Sequence, residues 1–252
     1  MKLLGGTLLA GLLVVSPPAA PAPPGATYPF HVGERFEYAA KLGVLRLGTA
    51  WMEVTGTDTV QGHASFVFQF GLEAEAPFYK TRNVLRSWTG VDDLVSRRFY
   101  QDLNENGKLR QRYFEIYPDS LMYRQQNRPE TRESVEDPLD DAAFFYFLRT
   151  IPLEVGKTYS YHRYFKKELN PVVIRVVKRE TMALPGDREV PCLVLNPVVG
   201  NDGIFAPRAD AKLWLTDDAL RIPVQIRSRL PFGTVTLRLI SVRLPDSAQA
   251  SR

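Results

Sequence analysis

The chain has 252 residues, of which 44% are hydrophobic and 24% are charged, and these ordinary globular values exclude wholesale disorder, collagen and a polytopic membrane protein. Its 32 lysines and arginines against 28 acidic residues leave a net charge of +4, an excess too small to indicate a nucleic-acid-binding protein. The length allows one large domain or two small ones.

The first 26 residues have the parts of a secretory signal peptide. Lys2 precedes an apolar run at 3–15, and a stretch of small residues and prolines follows at 16–26. A helix as long as the apolar run rises only about 20 Å, less than the ~30 Å hydrocarbon core, so we expect no transmembrane span after cleavage. Cleavage could follow Ala22 or Ala26, and no nearby cysteine could carry a lipid anchor. We predict a signal peptide at 1–26 and a soluble protein that is periplasmic or otherwise exported and is not a lipoprotein.

Apolar and polar residues alternate with period two almost everywhere after residue 34. Within residues 64–72, for example, Phe66, Phe68 and Phe70 share one face. Successive side chains of a strand point to opposite faces, so the pattern predicts strands with one buried and one exposed side, as in antiparallel sheets. Turn signals separate about a dozen such strands. Asn106-Gly107 is the strongest, because a type I′ hairpin turn needs positive φ at both central residues.

Residues 137–149 break this alternation and predict one short helix near 138–149. Asp137 can cap its N-terminus, Pro138 suits the first helical position, and Pro152 ends it. Four consecutive aromatic residues leave little polar face, so another part of the protein must cover this helix. The helix could plug the open end of a curved sheet or cover a ligand cavity, and the local sequence does not separate these alternatives.

No low-complexity linker or internal repeat divides the chain after the predicted signal peptide. We therefore predict an all-β, mainly antiparallel fold: a strongly curved sheet or incomplete barrel of about a dozen strands with the one helix. The predicted organisation is a single β-rich domain at 27–246 and a flexible tail at 247–252.

The sequence holds no motif that names a reaction. The D-x-N-x-N-G pattern at 102–107 opens like a calcium loop, but Tyr113 occupies the position of the closing carboxylate, so a hairpin is the better interpretation. The three histidines lack zinc-ligand spacing, and Cys192 lies in an aliphatic run typical of a buried strand. Adjacent carboxylates such as Asp140-Asp141 suit turns and helix caps. We predict no catalytic residue, metal or cofactor.

Arginine is dense between residues 80 and 132, where it interleaves with tyrosine and tryptophan; Arg86, Arg98 and Arg112 are examples. One interpretation is a basic, aromatic groove for an anionic lipid or polymer. The interpretation that we favour is the solvated face of successive hairpins, whose arginine stems cover apolar surface.

Several segments together resemble one known family. They are the F-x-V-G-E-x-F-x-Y segment at 30–38, the hairpin at 43–48, the helical segment at 137–149, L-x-x-G at 153–156, V-P-C at 190–192, A-K-L-W-L-T-D-D at 211–218, and R-x-P-V at 221–224 followed by G-T-V at 233–235. In this order they resemble the exported bacterial family catalogued as domain of unknown function 3108. The resemblance implies a β-rich periplasmic protein of Gram-negative-type bacteria, and it brings no catalytic motif or cofactor.

The leading functional hypothesis is a non-enzymatic envelope protein that binds a lipid, a lipoprotein tail or a related amphiphile on the concave face of the sheet, as a carrier or assembly factor. Its candidate binding residues are four aromatics of the helix as cover and five aromatics of strands as wall: Phe144, Phe145, Tyr146 and Phe147, then Trp51, Phe66, Phe68, Phe70 and Trp214. One alternative is a hydrolase of envelope glycan or lipid, which predicts a polar cleft with two or more converging acids or a histidine. Another is a scaffold that offers a sheet edge or the arginine-rich face to an envelope protein.

Overall fold

A computed structural model describes residues 28–77, 79–201, 204–231 and 233–245, so the predicted signal peptide and tail lie outside the described residues. The described part of the chain forms fourteen strands and one α-helix. No helix in it is long and apolar enough to cross a membrane. The strands and the helix are β1 (Arg35–Leu42), β2 (Leu45–Val60), β3 (His63–Ala76), β4 (Tyr79–Gly90), β5 (Ser96–Glu105), β6 (Lys108–Tyr117), β7 (Met122–Gln125), β8 (Thr131–Glu133), α1 (Ala143–Phe147), β9 (Thr158–Tyr161), β10 (Val172–Ala183), β11 (Glu189–Val198), β12 (Lys212–Thr216), β13 (Pro223–Leu230) and β14 (Gly233–Arg243).

All fourteen strands belong to one sheet, in the order β8-β7-β6-β5-β4-β3-β2-β1-β14-β13-β12-β11-β10-β9. Strands that are consecutive in sequence pair antiparallel, except β8 and β9, and the pairing of β1 with β14 joins the two halves. The all-β antiparallel prediction is confirmed. The sheet keeps two edges, β8 and β9, and is not closed into a barrel.

The sheet wraps around its own concave face. Register shifts interrupt several strand pairs, including β1 with β2 and β2 with β3, and such bulges bend a strand and increase its twist. The two edges approach each other where Leu139, after β8, bridges Tyr164, after β9. The interior is filled by one large hydrophobic cluster that includes residues from both halves of the sheet and the whole of α1.

The helix is shorter than the sequence predicted, and a different aspartate caps it. Asp140 Oδ1 accepts hydrogen bonds from the backbone N–H groups of Ala142 and Ala143, at 2.9 and 3.0 Å. Asp137 does not cap, because the segment before the helix is held by other elements. Arg163 donates to the Asp137 carbonyl, and the backbone N–H of Ser96 donates to the Pro138 carbonyl. The prediction of one short helix near 138–149 is confirmed, but the helix begins at Ala143 rather than at 138, and Asp140 rather than Asp137 caps it.

A buried ion pair fixes the chain just after the helix. Arg149 pairs with Glu34, which precedes β1, and both side chains are at most 2% exposed. Arg149 also donates to the carbonyl oxygens of Leu220 and Pro29. One guanidinium thus connects the end of α1 to segments before β1 and before β13, which places the helix against both halves of the sheet.

Candidate functional site

A cavity of about 530 Å³ lies between the concave face of the sheet and the helix. Its volume falls within the range of small-molecule sites, roughly 300 to 1,000 Å³. The two walls come from β3–β6 and from β13–β14, the cover from α1, and the rim from the segments after β9 and β11.

One wall follows directly from strand register. Phe70 of β3 lies opposite Leu85 of β4, which lies opposite Gln101 of β5, which lies opposite Arg112 of β6. All four side chains line the cavity, because residues directly opposite on neighbouring strands share a face of the sheet. The row is therefore apolar in its first half and polar in its second.

The opposite wall and the cover are mainly apolar. Ile226 of β13 pairs with Leu237 of β14, and both side chains line the cavity. Phe144 and Phe145 of α1 cover it, and the ring of Phe205, after β11, lies 5.7 Å from each of theirs. The remaining apolar lining residues lie on β3, β5 and β14 and in the segments after β9 and β11: Leu72, Leu103, Leu169, Val199, Ile204 and Val235.

One end of the cavity is polar, and Asp141 is its centre. The Tyr164 hydroxyl donates to Asp141 Oδ1 at 2.8 Å, and Gln101 Nε2 donates to Oδ2 at 3.3 Å. Burial raises the pKa of Asp141 above its ordinary value, while the bond from Tyr164 lowers it. Gln101 Oε1 is buried and has no hydrogen-bond partner among the described residues.

Two cations border this polar end. Lys166 is half-buried, and its ammonium lies 5.2 Å from the ring centre of Phe114 and 5.3 Å from that of Phe165. Burial lowers the pKa of Lys166, Asp141 raises it, and the charge of Arg112 lowers it further. Lys166 and Arg112 both line the cavity together with Asp141, so its polar end combines two positive groups with one carboxylate.

Asp140 and Asp141 are adjacent but lie in different environments. Asp140 is fully buried, and it accepts a 2.6 Å hydrogen bond from Ser87 in addition to the two backbone bonds that cap the helix. Of the described residues that line the cavity, Asp141 alone carries a carboxylate. The hydrolase hypothesis expected two or more converging acids or a histidine there.

Three of the nine candidate binding residues line the cavity: Phe144 and Phe145 of the helix and Phe70 of β3. Their rings also pack on one another, with Phe70 and Phe145 stacked at 5.6 Å. The sequence pattern on this strand and helix therefore indicated part of the cavity lining.

Four other candidates lie in the filled core. The ring of Tyr146 stacks on Phe68 at 3.8 Å, and Phe66 packs beside Phe68. Phe147 packs edge-on against Tyr161 at 5.1 Å. These contacts pack the helix on the side away from the cavity.

The two tryptophans lie on the other face of the sheet from the cavity. Trp51 lies between the core residues Ala50 and Met52, points away from them, and covers Gly71 on the neighbouring strand. Trp214 follows Leu213, whose strand partner Ile226 lines the cavity, so Trp214 points the opposite way and donates to Glu180 at 3.3 Å. The alternation of side chains along a strand excludes both from the wall.

The polar end was absent from the sequence-predicted site. A signal for Gln101 was present: it shares a strand face with Phe99 and Leu103, so it is a polar residue in an apolar row. Lys166 and Phe205 gave no signal, because they follow strands and reach the cavity only through long-range folding. Cys192 is buried in β11, as predicted, and burial raises the pKa of its thiol to about 11.

Comparison with known proteins gives a family model that matches most of the chain and one solved structure with a similar fold. The family model described as "Protein of unknown function (DUF3108)" matches residues 37–240. The crystal structure of a beta-barrel-like protein of domain of unknown function DUF1849 from Brucella abortus has a TM-score of 0.56 and 11% identity, covering 86% of this chain and 99% of that one. The 2.0 Å structure of the hypothetical protein CT021 from Chlamydia trachomatis has a TM-score of 0.33 and 9% identity, covering 83% and 87%. No curated protein matches the sequence. At 11% identity the likeness to the Brucella abortus protein concerns the fold alone.

Proposed function

The chain belongs to the DUF3108 family, whose description assigns no activity, and we propose that it is a non-enzymatic, exported envelope protein that binds a lipid or other amphiphile. The observation that carries this proposal is the cavity of about 530 Å³, which has apolar walls and one polar end. In this role the protein is a carrier or an assembly factor of the cell envelope. Its aromatic cover, Phe144 and Phe145, lies over the alkyl part of the ligand.

The apolar lining contributes to ligand affinity. Each methylene removed from water contributes about 0.8 kcal/mol, so an alkyl segment of about ten methylenes contributes ~8 kcal/mol. That gain alone would correspond to a Kd of about 1 μM, and lost translational freedom and ordering offset part of it, so affinity in the micromolar range also needs the contacts of the polar end. The polar end then orients the ligand, with its head group beside Asp141, Gln101 and Lys166.

The test is native mass spectrometry of the protein purified from a bacterial periplasm without detergent, followed by organic extraction. The same measurement is repeated after incubation with vesicles of phosphatidylethanolamine and phosphatidylglycerol. We expect a stoichiometric lipid in the wild-type protein. We expect it to be lost from Leu85→Trp, because the indole fills the space beside Phe70.

The matched control is Leu109→Trp, which makes the same change at an exposed position of β6 outside the cavity lining. Circular dichroism and the urea midpoint establish that each variant folds. A lipid-free mass before and after vesicle incubation would overturn the proposal. Equal lipid occupancy in Leu85→Trp and Leu109→Trp would place any bound lipid outside the cavity and would overturn it as well.

A further inference from the structure

The polar end of the cavity carries more positive charge than its own carboxylate balances. Lys166 and Arg112 both line it, and Asp141 is the acidic residue of the described lining. Asp141 is already bound by the Tyr164 hydroxyl and the Gln101 amide. Neither cation forms an ion pair with a carboxylate of the described residues, although the charge of Glu168 as well as that of Asp141 acts on Lys166. Several other arginines on the neighbouring hairpins do form ion pairs: Arg82 with Glu73, Arg98 with Glu115 and Arg110 with Glu105.

The two cations lie in different solvent environments. Lys166 is half-buried beside the rings of Phe114 and Phe165, whereas Arg112 is exposed and reaches the cavity from β6, where its charge opposes that of Lys166. Two like charges beside an apolar surface destabilise each other, whereas an anion between them makes charge-assisted hydrogen bonds with both. Along the strand register, Gln101 separates Arg112 from the apolar wall residues Leu85 and Phe70.

We propose that Lys166 and Arg112 form a head-group site for an acidic amphiphile, whose phosphate or carboxylate lies between the two cations and whose alkyl chain lies beneath Phe144 and Phe145. The inference rests on the proposed function and adds the charge class of the ligand. Gln101 supplies a second polar contact, because its buried Oε1 has no described hydrogen-bond partner and can accept from a hydroxyl or N–H beside the acidic group.

The experiment compares ligands that share one alkyl chain and differ in the head group. Isothermal titration calorimetry of the full mature protein measures the affinity for dodecyl phosphate, dodecanoate and dodecanol below their micellar concentrations. We expect the two acidic ligands to bind about tenfold tighter than dodecanol, as charge-assisted bonds require. Inorganic phosphate alone is a further titrant, and we expect weak binding because it has no alkyl chain.

Three variants assign the preference to the two side chains. In the double variant Lys166→Gln, Arg112→Gln we expect acidic ligands and dodecanol to bind equally, with dodecanol affinity unchanged. Lys166→Arg keeps the positive charge and should keep the preference. Lys167→Gln is the matched control, since Lys167 is an exposed neighbour that pairs with Glu133 outside the cavity lining.

Each outcome decides between the two proposals. If dodecanol binds as tightly as dodecyl phosphate and Leu85→Trp blocks both, the head-group inference is wrong and the cavity proposal stands. A preference for acidic ligands that survives the double variant also overturns the head-group inference. Inorganic phosphate binding as tightly as dodecyl phosphate would indicate an anion site independent of the cavity. If none of the dodecyl ligands binds, both proposals fail.

Discussion

Asp140, beneath the cover of the cavity, makes the stability of the protein depend on pH. Burial raises the pKa of its carboxyl from 3.8 to about 7, although the N–H of Ala143 and the Ser87 hydroxyl favour the ionised form. Between these two pH values the folded state holds a proton on Asp140 that the unfolded state has released. Stability therefore falls as pH rises through this window and levels off above it.

The magnitude follows from the same two values. One pKa unit corresponds to about 1.4 kcal/mol, so a rise from 3.8 to about 7 corresponds to about 4 kcal/mol. Asp140→Asn removes the titration and keeps a carbonyl oxygen to accept from Ala142 and Ala143. We expect the variant to have wild-type stability near pH 4 and to exceed the wild type by about 3 to 4 kcal/mol near pH 8.

The assay is urea unfolding of wild type and variant across this pH range. Taking the difference between the two proteins cancels the titration of groups that do not interact with Asp140; the neighbouring Asp141 does interact with it. Asp92→Asn, at an exposed turn position, is the control for the substitution itself. Parallel pH profiles for wild type and Asp140→Asn, or a variant less stable than the wild type near pH 8, would refute the argument. Either result would mean that the helix N-terminus keeps Asp140 ionised.

Three further predictions concern the framework around the cavity. Arg149→Met should lower the free energy of unfolding by about 3 to 5 kcal/mol, because it leaves the Glu34 carboxylate buried without its partner. Adding Glu34→Leu to the same chain should restore most of this loss, as measured by urea unfolding. Gly48→Ala should lower the thermal midpoint, because its Cβ would lie 1.9 Å from a backbone oxygen of β3, whereas Gly56→Ala meets no atom within 4 Å and should leave the midpoint nearly unchanged. Cys192 should react with a thiol reagent only upon unfolding, since it is fully buried and its thiol pKa is about 11; rapid labelling of the native protein would contradict this.

The sequence predicted the strands well because alternation is a local property. Phe66, Phe68 and Phe70 do share one face of β3, and the Asn106-Gly107 hairpin forms with positive φ at both residues. Local signals misplaced the helix cap, because Asp137 and Asp140 have equal capping chemistry. Long-range bonds from Arg163 to the segment before the helix decide between them.

The distinction between filled core and cavity lining could not be predicted in the same way. Phe68 and Phe70 have the same pattern in sequence, yet Tyr146 stacks on the former while the latter borders the cavity. What separates them is where the helix lies across the strand, and the Arg149–Glu34 pair fixes that position from outside both elements. The sequence also did not show which face of the sheet Trp51 occupies. Its ring covers Gly71 on the face opposite the cavity.

The pairing of β1 with β14 has a consequence for how the protein folds. These strands lie at opposite ends of the described chain, so the contact that joins the two halves of the sheet has the largest loop-closure cost in the fold. Hairpins from β1 to β8 can form locally, but Ile226 and Leu237 complete the cavity only when the C-terminal strands arrive. Until then the partly folded chain exposes both the free edge of β1 and an aromatic surface. We therefore expect slow folding, on the scale of roughly milliseconds to seconds, with a late step that a hydrophobic dye detects. A ligand of the completed cavity should not accelerate this step, because it binds only after β14 has paired.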